Sequence, residues 1–222
     1  MEEINHPFLL QLALDCKVKH IPVKRAFDIL FSLSALILGF PIFFLIALAI
    51  RLTSRGKIIY SHERVGRGGK RFRCYKFRTM RKDADIRLKA LLEQNPALRK
   101  EWEETRKLKN DPRTTSVGRF LRKTSLDELP QFWNVLIGDL SVVGPRPVVQ
   151  AEITKYYGLK GSKILSVRPG LTCLWQVSGR NDTSYENRVR LDEEYIENQS
   201  MSMDVKLILK TIPAMIFTKG AY

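Results

Sequence analysis

Residues 27–50 read FDILFSLSALILGFPIFFLIALAI. As a helix this run would extend roughly 36 Å, at about 1.5 Å per residue, against a bilayer hydrocarbon core of about 30 Å. It is longer and more apolar than the core helices of most domains this size. It begins too far into the chain for a cleavable signal peptide, and no small-residue cleavage site follows it. Three details argue against a simple span. Asp28 stands at the start, Gly39-Phe40-Pro41 interrupts the middle, and both flanks are basic, with Lys17, Lys19, Lys24 and Arg25 before and Arg51, Arg55 and Lys57 after. A spanning helix concentrates its Lys/Arg on one side. Basic residues at both ends fit a re-entrant helix, which enters, breaks at Pro41 where a backbone hydrogen bond is lost, and returns to the same face.

Working outward, 222 residues leave room for one further globular domain. The expected division is a lead-in over 1–22, the membrane helix over 23–52 and a cytosolic domain over 53–222. The net charge of +15 implies an anionic partner: nucleic acid, acidic lipid headgroups or a phosphorylated substrate. Three scattered cysteines and three histidines argue against a disulfide framework or a zinc cluster.

The remaining periodicities predict an α+β, mainly helical fold. Lys57–Ser61 and Arg71–Phe77 read as strands joined into a hairpin through Gly66-Arg-Gly-Gly69. A phosphate-cradling loop is the alternative there, but no Gly-Lys-Ser/Thr ending follows. Residues 82–108 read as an amphipathic helical pair broken near Asn95-Pro96. A helix is expected from about Asp127 to Ile137, a loop-rich stretch from Gly158 to Arg180, and a last amphipathic helix over Asp204–Thr218. That last helix fits the membrane interface and the domain core equally well.

The chemistry concentrates in Ser125-Leu-Asp-Glu-Leu-Pro-Gln131 and in Gly138–Pro147, GDLSVVGPRP. Ser125-x-x-Glu128 matches a capping box, which would leave the acids a merely structural role. At a helix start, Asp127 would lie at the positive end of the dipole and stay ionised. An ionised carboxylate can attack phosphorus or bind a divalent cation. A glycosidase is a poor fit, because its two carboxyls must flank a bond, and neighbours on a helix lie on one side of a substrate. One acid as nucleophile and the next as magnesium ligand is the natural division. Between Arg51 and Lys82 there are twelve Lys/Arg against the single Glu63. Arg122 lies shortly before Asp127, and Arg146 sits between two prolines. Most of these cations read as solvated or lipid-facing, while one or two, with Arg146, could clamp a diphosphate.

Together these residues resemble the monotopic phosphoglycosyl transferases, bacterial sugar transferases that start lipid-linked glycan assembly. The similarity covers nearly the whole chain: Lys24-Arg-Ala-Phe-Asp28, Glu63-Arg-Val-Gly66, Tyr75-Lys-Phe-Arg-Thr-Met80, Thr124–Gln131, Gly144-Pro-Arg-Pro147, Arg168-Pro-Gly-Leu-Thr172 and Gln176-Val-Ser-Gly-Arg-Asn181. So many ordered matches are specific where any one alone is weak. The resemblance implies a re-entrant helix and interfacial amphipathic helices at the bacterial inner membrane, with the site on the cytosolic face. It implies that Asp127 attacks the sugar-bearing phosphate of a UDP-sugar and releases UMP. Undecaprenyl phosphate then takes the sugar phosphate from the enzyme. Glu128 would hold Mg²⁺, and Lys76, Arg122, Arg146 and Asp204 match positions used around the phosphates and nucleotide. The partners implied are therefore a UDP-sugar, undecaprenyl phosphate and membrane lipids, with room for a homodimer.

Two departures stand out. Some small members break the membrane helix at Ser-Pro, where this chain has Phe40-Pro41, and Thr172-Cys173 replaces the common Thr-Gly. Larger members carry extra membrane helices, so this chain is expected to be the minimal catalytic module. Trp175–Asp182 and Gly220–Tyr222 look most like galactose phosphotransferases, which favours UDP-galactose over UDP-glucose or an N-acetylated sugar. Two other classes compete with this reading. A membrane-tethered nucleic-acid-binding module explains the charge but lacks any helix-turn-helix, zinc finger or aromatic RNA-binding signature, so no nucleic acid is expected as partner. A scaffold without catalysis would not need the intact acid pair.

Overall fold

The computed structural model describes residues 11–12, 15–18, 21–105, 108, 111–178 and 184–216. Helix α1, Pro22–Thr53, carries the apolar run and continues through Pro41. The helical backbone runs on both sides of Pro41, the position expected to bend it. Pro41 removes one hydrogen bond without ending the helix. This helix is long and apolar enough to cross a membrane, and little of it is covered by the rest of the protein.

What is covered lies at its two ends. At the foot, Lys24, Asp28 and Ser32 are buried on one face at i, i+4, i+8 spacing, with Phe27 and Phe31 packed against the main core. At the far end, Ile46 and Ile50 form a second apolar cluster with Phe77 and Leu121, and Phe43 meets Phe77 edge-on. Between them the helix stands clear: Leu38 is 80% exposed, and a Cβ on Gly39 would meet only Phe43 of the same helix. Both ends of the apolar helix thus rest on one folded unit.

That unit begins with the expected hairpin, β1 Ile59–Val65 and β2 Arg71–Phe77, paired antiparallel from Ile59↔Phe77 to Val65↔Arg71. The first strand runs further toward the turn than Lys57–Ser61, because the polar residues His62–Arg64 also find ladder partners. The helical pair follows as α2 Ala84–Gln94 and α3 Pro96–Thr105, divided at Asn95 as the sequence indicated. Next come α4 Ser116–Lys123, a 3₁₀ turn Leu126–Glu128, and α5 Gln131–Ile137. Thr115 caps α4 by accepting the Gly118 N–H at 2.9 Å. A Cβ on Gly118 would collide with the Thr79 main chain, so glycine is what lets α4 lie against the end of β2.

The stretch expected to be loop-rich holds structure. β3 Ser141–Val143 and β4 Gly170–Thr172 pair in parallel, with short helical turns between residues 150 and 164 and one more turn at Leu174–Val177. β3 is buried at all three positions, as a strand covered on both faces must be. Helix α6 Tyr185–Glu197 and helix α7 Met201–Ile216 complete the described fold. The main core joins Val135, Leu140, Val142, Val143, Tyr195, Ile196 and Leu207. Val205, Leu209 and Ile212 of α7 remain exposed.

The foot of α1 is held by charge as well as packing. Lys24 Nζ donates to Asp204 Oδ2 at 2.6 Å, and Tyr195 OH donates to Asp204 Oδ1 at 2.8 Å. Asp28 accepts from Ser141 Oγ and Val142 N, each at 3.0 Å. Arg25 donates to the carbonyls of Val135 and Leu136 at the end of α5, a favourable place for a cation.

Candidate active site

Strand β2 supplies the lysine of the site by its alternation. Phe72 and Cys74 point inward, and Lys76 follows on the same face. The outer edge of β2 pairs with a side chain instead of a strand. Asn134 of α5 accepts from Tyr75 N at 3.0 Å and donates to Arg73 O at 2.7 Å. This amide docks α5 on the hairpin, and the turn just ahead of α5 thereby meets Lys76.

That turn carries the acid pair, though not as the sequence suggested. No capping box forms, because Ser125 makes no side-chain cap and adopts a left-handed backbone, φ 56. A non-glycine residue there is sparsely populated and marks local strain of the kind found at functional sites. The helix expected over Asp127–Ile137 is split into the 3₁₀ turn and α5, with Pro130 as the N-cap of α5. Asp127 therefore has no long helix dipole behind it. Burial, at 7% exposure, pushes its carboxyl up to about 6, with Lys76 and Arg122 opposing and Glu128 adding to the rise.

Glu128 behaves oppositely. Its Oε1 accepts from Lys76 Nζ at 2.5 Å, and its side chain keeps 22% exposure. Burial works to raise it, but Lys76, Arg146 and Arg64 outweigh that and hold it below the ordinary glutamate value. Adjacent carboxyls pushed apart in this way suit different roles.

Glu128 and Lys76 line an open cleft together with Arg64, Cys74, Gln131, Arg146, Pro147 and Gln176. Arg146 arrives there through a crossing of two glycines: a Cβ on Gly144 or Gly170 would collide with the facing main chain. Gly170 N donates to Pro145 O at 2.8 Å, which fixes the Pro-Arg-Pro turn across the end of β4. Arg122, at the end of α4, donates through Nε to Thr79 Oγ1 at 2.9 Å.

The structure thus brings Lys76, Glu128 and Arg146 into one cleft, with Asp127 and Arg122 adjoining. It does not bring Asp204 there. Asp204 is fully buried beside Lys24 and Tyr195, where it makes an ion pair at the foot of α1. Sequence reasoning missed Arg64, which its ladder position opposite Phe72 turns toward the cleft. It also missed Gln131 and Gln176. At the Thr-Cys departure, Cys173 Sγ donates to Gln176 Oε1 at 3.2 Å. Gly179–Asp182 and Gly220–Tyr222, on which the sugar preference partly rested, lie outside the described residues.

No group of three or more His, Cys, Asp or Glu side chains fit for a metal occurs among the described residues. Two adjacent carboxylates nonetheless suit Mg²⁺, which takes one or two of them and fills its shell with water and phosphate oxygens.

A strand-borne lysine, a glutamate at a strained turn and a proline-fixed arginine converge on one cleft beside Asp127, and known proteins are similar to this chain in sequence. The bacterial sugar transferase profile matches residues 19–218. The chain belongs to the bacterial sugar transferase family. It is 48% identical over 199 residues to the exopolysaccharide production protein ExoY of Rhizobium meliloti, covering 90% of this chain and 88% of that one. It is 49% identical over 201 residues to the undecaprenyl-phosphate galactose phosphotransferase of Salmonella typhimurium, covering 90% of this chain but 42% of that protein. The UDP-glucose:undecaprenyl-phosphate glucose-1-phosphate transferase of Escherichia coli is 39% identical over 207 residues, with 41% of its length covered. The sugar transferase described here therefore matches ExoY along nearly its whole length, and matches less than half of the two longer phosphotransferases.

Proposed function

We propose that this sugar transferase moves a sugar 1-phosphate from a UDP-sugar to undecaprenyl phosphate in two steps, as an early step of polysaccharide assembly. The observation that carries the reading is the cleft in which Lys76 and Arg146 flank Glu128 beside the buried Asp127. An Asp127 carboxylate oxygen attacks the sugar-bearing phosphorus. The bond from that phosphorus to the bridging oxygen breaks, and UMP leaves with the bridging oxygen. An oxygen of undecaprenyl phosphate then attacks the same phosphorus and returns Asp127 to its free carboxylate.

The chain's own residues serve charge and position. Arg146 and Arg64 receive the diphosphate, Lys76 neutralises its oxygens while orienting Glu128, and the tie to Thr79 keeps Arg122 near Asp127. Glu128, with Asp127 beside it, would hold Mg²⁺, which when bound supplies charge neutralisation on the diphosphate. Galactose is the preferred sugar, supported by the similarity to the Salmonella protein. UMP release from UDP-galactose, UDP-glucose and UDP-N-acetylated sugars, each with and without undecaprenyl phosphate, tests the reading. No UMP from any of them would refute it.

A carboxyl raised to about 6 gives the first step a pH signature. The attacking form is the carboxylate, so UMP release in a single turnover should fall about tenfold per unit below pH 6 and level off above it. A rate flat from pH 4.5 to 8 would mean that Asp127 does not titrate in this step.

The re-entrant arrangement at the inner membrane, with both ends of α1 in the cytosol, is supported by the packing of both ends on one unit. Single cysteines at Val23 and Arg55 in an otherwise cysteine-free variant should resist an impermeant thiol reagent in intact cells and react after lysis. Labelling of only one in intact cells would mean a span. Pro41→Leu restores a helical hydrogen bond and should move protein toward the span, with activity falling in step.

A further inference from the structure

Next to the cleft lies a polar layer with no part in the transfer steps. The ring of Trp175 is 7% exposed, with the guanidinium carbon of Arg146 at 5.3 Å and that of Arg188 at 5.1 Å from its centroid. Arg188 is itself buried, and its Nε and Nη2 have no hydrogen-bond partner among the described residues. It is kept in place by aromatic faces, Trp175 on one contact and Tyr185 at 4.7 Å on another. Asp192, one turn further along α6, accepts from Tyr157 OH at 2.9 Å, while its other oxygen, near the backbone N–H of Arg146, makes no hydrogen bond among the described residues. Both the main chain and the side chain of Arg146 are therefore met from behind, by Asp192 and by Trp175.

The prolines on either side restrict the backbone of Arg146, but they leave its long side chain free to rotate. A guanidinium that must be fixed on binding loses rotamer entropy at that moment. Stacking on an indole face removes much of that loss beforehand and still leaves the outward N–H fork for a phosphate.

We propose that Trp175, backed by Arg188 and Asp192, is a positioning element that holds Arg146 extended toward the diphosphate of the nucleotide sugar. This rests on the assignment of Arg146 as diphosphate ligand, and the test separates the two claims.

Affinity for UDP is measured by calorimetry on the full-length, detergent-solubilised protein. Arg146→Ala should weaken UDP binding by about tenfold or more, as for a lost charge-assisted hydrogen bond. Trp175→Leu should weaken it by about tenfold, while Trp175→Phe, which keeps an aromatic face, should stay within about threefold of the parent. The deciding comparison is the double variant: with Arg146 already Ala, Trp175→Leu should change nothing further. Asp192→Asn, nearly isosteric, should show the same dependence and serves if Trp175→Leu does not fold. Losses that add, or an unchanged affinity in Trp175→Leu and Asp192→Asn while Arg146→Ala is weakened, would overturn the positioning claim alone. An unchanged affinity in Arg146→Ala would overturn both.

Discussion

Asp127→Asn should reduce UMP release to background, both with and without undecaprenyl phosphate, while Glu128→Gln should leave measurable turnover. The difference is one of kind. Removing a nucleophile removes the reaction path, because an amide in the same place cannot form the phosphoryl bond. Removing a metal ligand costs several kcal/mol of charge stabilisation, a loss of about 10²- to 10³-fold. Glu128→Gln also leaves Lys76 without the carboxylate now 2.5 Å away, so part of its loss should appear in KM for the UDP-sugar. Residual turnover in Asp127→Asn together with complete loss in Glu128→Gln would invert the two roles.

The largest stability effect should come from the foot of α1. Asp204→Ala leaves the ammonium of Lys24 buried without its 2.6 Å partner and should cost about 3–5 kcal/mol, read by denaturant unfolding in detergent. Joint replacement of Lys24 and Asp204 by Met and Leu should recover part of that, since no buried ammonium is left, while Asp28 loses Lys24 at 3.9 Å and keeps its bonds from Ser141 and Val142. UDP affinity of the folded protein should be unchanged in the joint variant. A variant that keeps its stability but loses UDP binding would instead return Asp204 to the substrate site.

The parts of this fold legible in the sequence are those set by short-range pattern. The length and apolarity of residues 27–50 are enough to give α1, glycines 66–69 between two β-prone runs give the hairpin, and Asn95-Pro96 divides α2 from α3. Parts set by distant partners were not legible. Asp28 was visible as a charge in an apolar run, yet its partners Ser141 and Val142 lie more than 110 residues away, and Lys24 finds Asp204 across 180. β3 and β4 are three residues each, too short to show a period, and their pairing follows from a glycine crossing. The acid pair was found by adjacency, but its geometry was misjudged. A capping pattern suggested a helix, and the left-handed turn at Ser125 replaced it with a buried Asp127 and a partly open Glu128. The buried aspartate has thus exchanged the expected dipole support for a raised affinity for protons, which Lys76 and Arg122 partly offset.

The central claim is a sugar phosphate held on Asp127 between the two steps. It is tested most directly by quenching the enzyme in acid after incubation with UDP-galactose and Mg²⁺ without lipid, then reading intact mass and peptide masses. The account predicts an adduct of one hexosyl phosphate on the peptide containing Asp127, with UMP released in equal amount and the adduct lost on addition of undecaprenyl phosphate. An unmodified protein that releases UMP only when lipid is present would contradict it, as would an adduct on any other residue.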